Sequence, residues 1–315
     1  MNLLYKILKE KIKNNDFLFI ALYTIRAYIY NFINRISYYQ IERRGFYKNL
    51  GYQSNLKHPH SYNEKILWKK IYDRNPLLPI TADKYQVRSY LKEILGKAKA
   101  EEILIPLLYV TDRPETIPFD RLPPNFIVKP NHASGFYTIV EKGNLNKHAL
   151  IKTCQKWLST TYALEKLEWA YQPIRRKILI EELLIDNDGD LPKRFKFHMF
   201  HGKCKLIHVF FGRNNHFSLS HFDEKWNFLP VRLSSIAQGP RIVKPKSYEM
   251  MLKLAEELAQ PFDYVRVDLY NIGKKIYFGE LTHYPESGRG KFEPDSFDFK
   301  LGKFWKILPR YWKNI

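Results

Sequence analysis

Apolar and polar positions recur with two different periods along this chain, and each change of period marks an element. From Ser61 the stretch SYNEKILWKKIYD opens with Ser-x-x-Glu, the signature of a capping box, and carries Ile66, Leu67, Ile71 and Tyr72 at helical spacing, which predicts a helix. A second start signal at Thr81 precedes DKYQVRSYLKEIL, with Gly96 as the expected stop. After Pro124 the period shortens to that of a strand, and FIVK (126–129) and YTIVE (137–141) flank the small-residue loop PNHASGF. Residues 146–159 and 162–175 read as helices, and KILIEELL (177–184) is a short, nearly continuous apolar run of the kind that fills a buried strand. Past the turn DNDGDLP, the strands RFKFHMF and CKLIHVFFG are joined at His201, Gly202 and Lys203, and FSLSHFD adds a third strand. A helix over 247–258 then leads to YVRVDLY (264–270), a turn at Asn271, Ile272 and Gly273, and KIYFGEL (275–281). Hairpins alternating with helices predict an α+β fold rather than a doubly wound parallel sheet.

Composition narrows the partners. With 315 residues and 45% hydrophobic content the chain has material for a real core and for about two domains. The 52 Lys and Arg against 32 Asp and Glu leave a formal charge of +20, which favours a polyanionic partner: nucleic acid, an anionic membrane face, nucleotide phosphates or an acidic polysaccharide. Two cysteines, Cys154 and Cys204, make neither a CxxC pair nor a disulfide framework, and a reducing, cytoplasmic setting is expected.

The N-terminus carries the apolar run FLFIALYTIRAYIYNFI at 17–33, interrupted by Arg26, and no small-residue cleavage site follows it. A central charge argues against a spanning helix, and the missing cleavage site argues against a signal peptide. Lys6, Lys9, Lys11, Lys13, Arg35, Arg43 and Arg44 flank the run. Two readings stay open: an amphipathic helix resting on anionic lipid, or a basic helix packed on the body of the protein.

Candidate chemistry gathers in the final hairpin, where Arg266 and Asp268 share one face by two-residue alternation and Glu280 lies on the returning strand. Carboxylates on neighbouring strands suit magnesium, which uses one or two of them beside substrate phosphates; a cross-strand ion pair on a solvated face is the bland alternative. Lys129 ends a strand and precedes PNHASG, whose Ser134 and Gly135 can bring backbone N–H groups to phosphate oxygens or form a plain surface turn. The loop has neither the GxxxxGK[ST] nor the GxGxxG pattern. Lys84 in TADKYQVR falls in the expected first turn of a helix, an unfavourable place for a cation. Glu181 and Glu182 interrupt an apolar run and need partners or a cleft. The histidines lack HxxxH or HExxH spacing, and His132, His198, His208 and His283 are expected to be satisfied polar residues rather than zinc ligands.

Taken in order, NEKILWKKIYDRNP, TADKYQVRSYL, FIVKPNHASG, ILIEELL, PKRFKFHMFHGKCKLIHV and YVRVDLYNIGKKIYFGELTHYPESGRGKF resemble an ATP-grasp enzyme, and within that group the TupA-like branch named for teichuronopeptide synthesis. The similarity runs over about residues 61–303. It implies an N-terminal helical region over 1–60, a helical subdomain over 61–125, a small lobe over 126–185 and a C-terminal lobe with the magnesium site over 186–315, with ATP held between the two β-rich lobes. Lys129 and Lys84 would reach the phosphates, and the loop with His132, Ser134 and Gly135 would cover them. The stretch from Glu181 and Glu182 to Leu184 would meet adenine and ribose. Lys196 and Arg213 would face the triphosphate, Arg266 would neutralise the developing acyl phosphate, and Asp268 and Glu280 would hold magnesium. Where the family pattern is Glu-x-Asn, this chain has Thr282, a poorer metal ligand.

The activity implied is formation of an amide through an acyl phosphate, with a uronic acid of a capsular, O-antigen or teichuronic-type polymer joined to an amino acid or other amine, and no nucleic acid involved. A glycosyltransferase of the same pathway is the alternative; its Asp-x-Asp would have to be Asp186-Asn-Asp188, which reads as a polar turn. A third reading, a basic module that stacks bases on its 22 tyrosines and 21 phenylalanines, is weakened because those rings fall mainly on strand and helix faces.

Overall fold

In the computed structural model, which describes residues 16–160, 162–213, 216–234 and 236–308, the capping box at Ser61 is formed. Ser61 Oγ accepts the Glu64 N–H at 3.1 Å, and Glu64 Oε2 accepts the Ser61 N–H at 2.8 Å. Such a cap contributes about 1 kcal/mol. The helix Tyr62–Tyr72 that follows buries Ile66, Leu67 and Ile71. The next start signal is misread by sequence: Thr81 lies in the last turn of a short helix, Leu77–Ala82, and the following helix is Val87–Leu95. Thr81 Oγ1 donates back to the Leu77 carbonyl at 2.7 Å, so the residue closes a helix instead of opening one. Lys84 accordingly sits in the turn between two helices and not in a first turn.

The chain forms two units, one drawn from the residues up to Glu42 and from Leu107–Glu181, the other from Arg43–Pro106 and from Glu182 onward. The first holds the strands β1 (Leu107–Thr111), β2 (Phe126–Pro130), β3 (Thr138–Val140) and β4 (Ile178–Glu182), in the order β1-β4-β2-β3. Phe126, Val128, Ile178 and Ile180 point to one side and pack with Leu150 and Cys154 of the helix Lys147–Ser159. Burial pushes the Cys154 thiol up to about 12, so it is inert packing. The helix expected over 162–175 is shorter, Tyr162–Lys166, because Leu167 takes a left-handed φ of +55° and ends it.

The apolar N-terminal run forms a helix, Asp16–Ile36, in this first unit. Tyr23 hydrogen-bonds Glu165, Tyr30 donates to Glu42 at 2.7 Å, and Ala27 and Asn34 are buried. Ile25, Tyr28, Ile29, Phe32 and Ile36 are left exposed, as are Arg26 and Arg35. No helix among the described residues is long and apolar enough to cross a membrane.

In the second unit β5 (Arg194–Phe200), β6 (Lys203–Arg213), β7 (His216–Phe222), β8 (Phe228–Leu229), β9 (Arg232–Leu233), β10 (Ala237–Gln238), β11 (Tyr264–Ile272), β12 (Lys275–Thr282) and β13 (Phe292–Glu293) follow in sequence. Seven of them form a sheet along the path β10-β7-β6-β5-β11-β12, with β8 added to β7, while β9 pairs β13 separately. The β5–β6 turn uses left-handed φ at His201 (+49°) and Gly202 (+75°), as a two-residue hairpin requires. Strand alternation divides this sheet. Phe195, Phe197, Val265, Val267 and Leu281 are buried, and the helix Tyr248–Ala259 contributes Met251, Leu254 and Leu258 to the same core. Each such side chain contributes about 1.5–3 kcal/mol by burial. The opposite set carries Lys196, His198, His208, Arg266, Asp268, Glu280 and Thr282.

Candidate active site

Register brings the acidic residues together. Asp268 on β11 pairs with Glu280 on β12, and Arg266 pairs with Thr282. On its other side β11 sets Asp268 opposite Lys196 and Arg266 opposite His198. A bulge follows Asp268, where Gly279 is the extra residue; a Cβ there would lie 3.0 Å from the Asp268 carbonyl oxygen and 3.1 Å from the Tyr270 ring, so glycine is what lets β12 approach.

Arg266 is the hub. Its Nε donates to Asp268 Oδ1 at 2.7 Å and its Nη2 to Asp268 Oδ2 at 2.8 Å, a bidentate pair along one strand. The same Nη2 reaches Thr282 Oγ1 at 3.0 Å and Glu280 Oε1 at 3.5 Å. Thr282 donates its hydroxyl to Glu280 Oε1 at 3.0 Å, so this oxygen already serves two neighbours. Lys196 Nζ stands 3.4 Å from Asp268 Oδ2 and 4.4 Å from the centre of the Phe210 ring. Lys84 Nζ is 3.5 Å from Glu280 Oε2. Its turn is fixed on both sides: Asp83 Oδ1 accepts the Tyr85 N–H at 2.8 Å, and Thr81 Oγ1 meets His283 Nε2 at 2.7 Å just past the end of β12.

Lys84, Lys196 and Arg266 therefore face Asp268 and Glu280, three cations for two carboxylates. Burial works against ionising Glu280, but Lys84, Arg266 and Lys196 outweigh it and hold the carboxyl down at about 2. Burial, with Arg266 next to it, lowers the Lys196 ammonium, while Asp268 overrides burial to raise Arg266. The surplus positive charge suits a polyphosphate, and the oxygen donor set suits a hard divalent cation bound beside it. Among the described residues no group of three or more His, Cys, Asp or Glu side chains gathers as a metal centre.

Of the other candidates, Lys129, His132, Ser134, Gly135 and Glu181 belong to the first unit and Glu182, Leu184 and Arg213 to the second. Lys129 on β2 pairs with Glu181 on β4 at 2.5 Å, the lysine slightly exposed and the glutamate buried. Glu182, the next residue, is exposed, and Leu184 beyond it is buried. Asn131 anchors the loop after Lys129 by accepting the Lys177 N–H at 2.7 Å and donating to the Arg175 carbonyl at 3.0 Å. Ser134 and Gly135 are exposed at its tip, with Gly135 at φ +79°. His132 is turned inward instead, its ring nitrogens 3.3 Å from Asn131 Oδ1 and 3.2 Å from the Trp157 carbonyl oxygen. Arg213 ends β6, and its side chain lies outside the described residues.

Sequence reading missed the histidines. His198, His208 and His221 stand on adjacent strands, with His198 Nε2 3.2 Å from His208 Nδ1 and the rings of His208 and His221 4.6 Å apart. They are not all satisfied: His208 Nε2, both nitrogens of His221 and His283 Nδ1 are buried without a hydrogen bond among the described residues. Burial keeps His198, His208 and His283 well below the usual range and His221 at about 4. The one available signal was period-two placement of His208 and Lys196 on facing strands, which shows only once the pairing is known.

No curated protein matches this chain. Among similar solved structures are the D-alanine–D-alanine ligases of Bacillus anthracis (17% identity over 65% of this chain and 57% of that chain, TM-score 0.41) and Helicobacter pylori (16% over 77% and 67%, TM-score 0.43). Another is a phosphoribosylamine–glycine ligase from Thermotoga maritima, at 10% identity over 69% of this chain and 52% of that chain, with a TM-score of 0.38. This chain thus spans about three fifths of the length of the first of them. The family model for TupA-like ATPgrasp matches residues 64–306, most of the chain, and the protein belongs to the TupA-like ATP-grasp family and carries the ATP-grasp fold.

Proposed function

We propose that this protein is an ADP-forming ligase that activates a carboxylate as an acyl phosphate and passes it to an amine. The observation that carries this reading is the register that sets Asp268 against Glu280 among Lys84, Lys196 and Arg266. In the first step a carboxylate oxygen bonds to the γ-phosphorus of ATP as the bond to ADP breaks; in the second, the amine bonds to the acyl carbon and phosphate leaves. Asp268 and Glu280 would hold magnesium, which when bound supplies charge neutralisation for the transferring phosphoryl group. Lys196 and Lys84 orient phosphate oxygens, and Arg266 faces the charge that develops on the acyl oxygen. Lys129, Ser134 and Gly135 contribute further phosphate contacts, and the segment from Glu181 and Glu182 to Leu184 meets adenine and ribose; the family supports these roles.

A uronic acid of a surface polysaccharide is the carboxylate, and an amino acid or related amine the nucleophile. The +20 charge supports an anionic acceptor. The protein works at an anionic membrane surface, a reading supported by the stripe Ile25, Tyr28, Ile29, Phe32 and Ile36 with Arg26 and Arg35 beside it. Vesicles containing phosphatidylglycerol should sediment the protein in low salt and lose it when Ile29→Glu and Phe32→Glu are combined; equal recovery in the supernatant with and without vesicles rejects that surface.

The deciding assay is ATP turnover with magnesium over a panel of uronic acids and amines. ADP release that needs both, and disappears in Asp268→Asn and Glu280→Gln, establishes the ligase. No ATP turnover with any pairing transfers the assignment to a glycosyltransferase, although Asp186 is engaged in its own turn, accepting the N–H groups of Asp188 and Asp190 at 3.0 and 2.9 Å.

A further inference from the structure

Beside Arg266 the second unit contains a small cavity lined by Tyr62, Asn63, His198, His208, Arg266 and Glu286, among others. Tyr62 and His198 are hydrogen-bonded, but several other polar atoms of the lining lack a partner among the described residues. Asn63 is fully buried and donates its amide N–H groups to the Gly290 carbonyl and to Asp298, while its Oδ1 has no partner among the described residues. His208, also buried, has no partner for Nε2 among them. Arg266 uses Nε and Nη2 on Asp268, Glu280 and Thr282, and its Nη1 makes no hydrogen bond among the described residues. The Glu286 carboxylate has no hydrogen bond or ion pair among them either.

The backbone presents Glu286 deliberately. Glu286 and Ser287 hold consecutive left-handed conformations, φ +48° and +55°, which non-glycine residues rarely adopt and which surrounding structure must enforce. Buried Lys70 does so, donating to the Ser287 carbonyl at 3.2 Å and to its Oγ at 2.9 Å. Gly288 completes the loop, where a Cβ would press the Asn63 carbonyl oxygen at 3.0 Å. The charge of Glu286 acts on both Arg266 and Tyr62.

We propose that this cavity, which has room for about one water-sized group, takes only the ammonium head of the amine nucleophile, hydrogen-bonded to Asn63 Oδ1 and to the exposed Glu286 carboxylate, with the rest of the amine outside it. The inference rests on the ligase reading and adds the chemical form of its second substrate. The buried Asn63 Oδ1, unpaired among the described residues, is costly alone and is relieved by an N–H donor of a cation, whose charge the exposed Glu286 carboxylate offsets. One ammonium proton passes to Glu286, the freed nitrogen lone pair forms the C–N bond at the acyl carbon, the bond to phosphate breaks, and Arg266 Nη1 meets the acyl oxygen. A second proton leaves the nitrogen with the departing phosphate, so charge and atoms balance. Glu286 is thus the residue that selects an amine over water or an alcohol.

Hydroxylamine tests this directly, because at neutral pH it is an uncharged nucleophile that intercepts acyl phosphates as hydroxamates. The protein is supplied with ATP, magnesium, D-glucuronate or D-galacturonate, and hydroxylamine in competition with glycine, L-alanine, L-glutamate, L-lysine or ethanolamine. The expected result is an amide-to-hydroxamate ratio at least tenfold lower in Glu286→Gln than in the wild type, with Glu286→Asp in between. A ratio within twofold of wild type in both variants overturns the inference while leaving the ligase intact, as does hydroxamate formation with none of the primary amines accepted. Absence of both hydroxamate and uronate-dependent ADP release overturns the ligase reading itself, and this inference with it.

Discussion

Two lysine–carboxylate sites of this protein differ in how much charge they leave unsettled. On the four-stranded sheet Lys129 and Glu181 form a close ion pair of opposite charges. On the seven-stranded sheet Lys84, Lys196 and Arg266 gather within ion-pair distance of Asp268 and Glu280, three cations around two carboxylates, with the charge of Glu286 acting on Arg266 from beyond that distance. The first arrangement holds a lysine in place; the second is a standing demand for an anion. A polyphosphate answers that demand in proportion to its burial, because desolvated cations gain most from a charged partner.

The largest expected effect lies at the hub. Arg266→Met should lower uronate-dependent ADP release by on the order of a hundredfold to a thousandfold, the scale of a lost oxyanion donor. It should also lower stability by about 3–5 kcal/mol in urea titration, since Asp268 is left buried with its principal partner gone. A loss of stability without a loss of turnover would make the cluster structural and erase the contrast between the two sites.

A smaller effect comes from the histidine row that accompanies only the second site. His221 titrates near 6.5 when unfolded and at about 4 in the fold, so the unfolded chain binds the extra proton. Its contribution is complete above pH 6.5 and declines as pH falls toward 4, by about 2 kcal/mol at pH 5. The urea midpoint should therefore drop between pH 7.5 and pH 5, and His221→Gln should flatten that slope. Glu280 loses its contribution only in a more acidic window, as pH falls from about 4.5 toward 2.

The smallest effect belongs to the pair of Lys129 and Glu181. Lys129→Met should weaken ATP binding about tenfold, roughly 1.4 kcal/mol, and the double change Lys129→Met with Glu181→Gln should recover stability without recovering affinity, as calorimetry can tell. If the double variant binds ATP as well as the wild type, Lys129 serves Glu181 alone.

Much of the fold was legible because local chemistry decided it. The Ser61 and Glu64 side chains close their capping box within three residues, and the alternation in YVRVDLY already put Arg266 and Asp268 on one face. What stayed hidden depended on distant partners or on backbone geometry. Thr81 has the chemistry of an N-cap, and only its bond to the Leu77 carbonyl and to His283, far along the chain, reveals the opposite role. Leu167 is a good helix former by propensity, yet it ends its helix in a left-handed conformation that the pattern does not announce. Glu286 escaped notice because nothing in HYPESGRG signals two consecutive left-handed residues, or that Asn63 would face them with an unused oxygen.

The threading of the two units has a practical consequence for anyone who would divide the gene. The chain passes from one unit to the other at residues 42–43, 106–107 and 181–182, so neither unit is a continuous stretch. A truncation to the family-matched residues 64–306 would look conservative on paper. It would discard the helix Asp16–Ile36, the hydrogen-bond partner of Glu165, and with it part of the first unit. Shortened versions are expected to express poorly, and swapping halves between relatives needs three junctions rather than one.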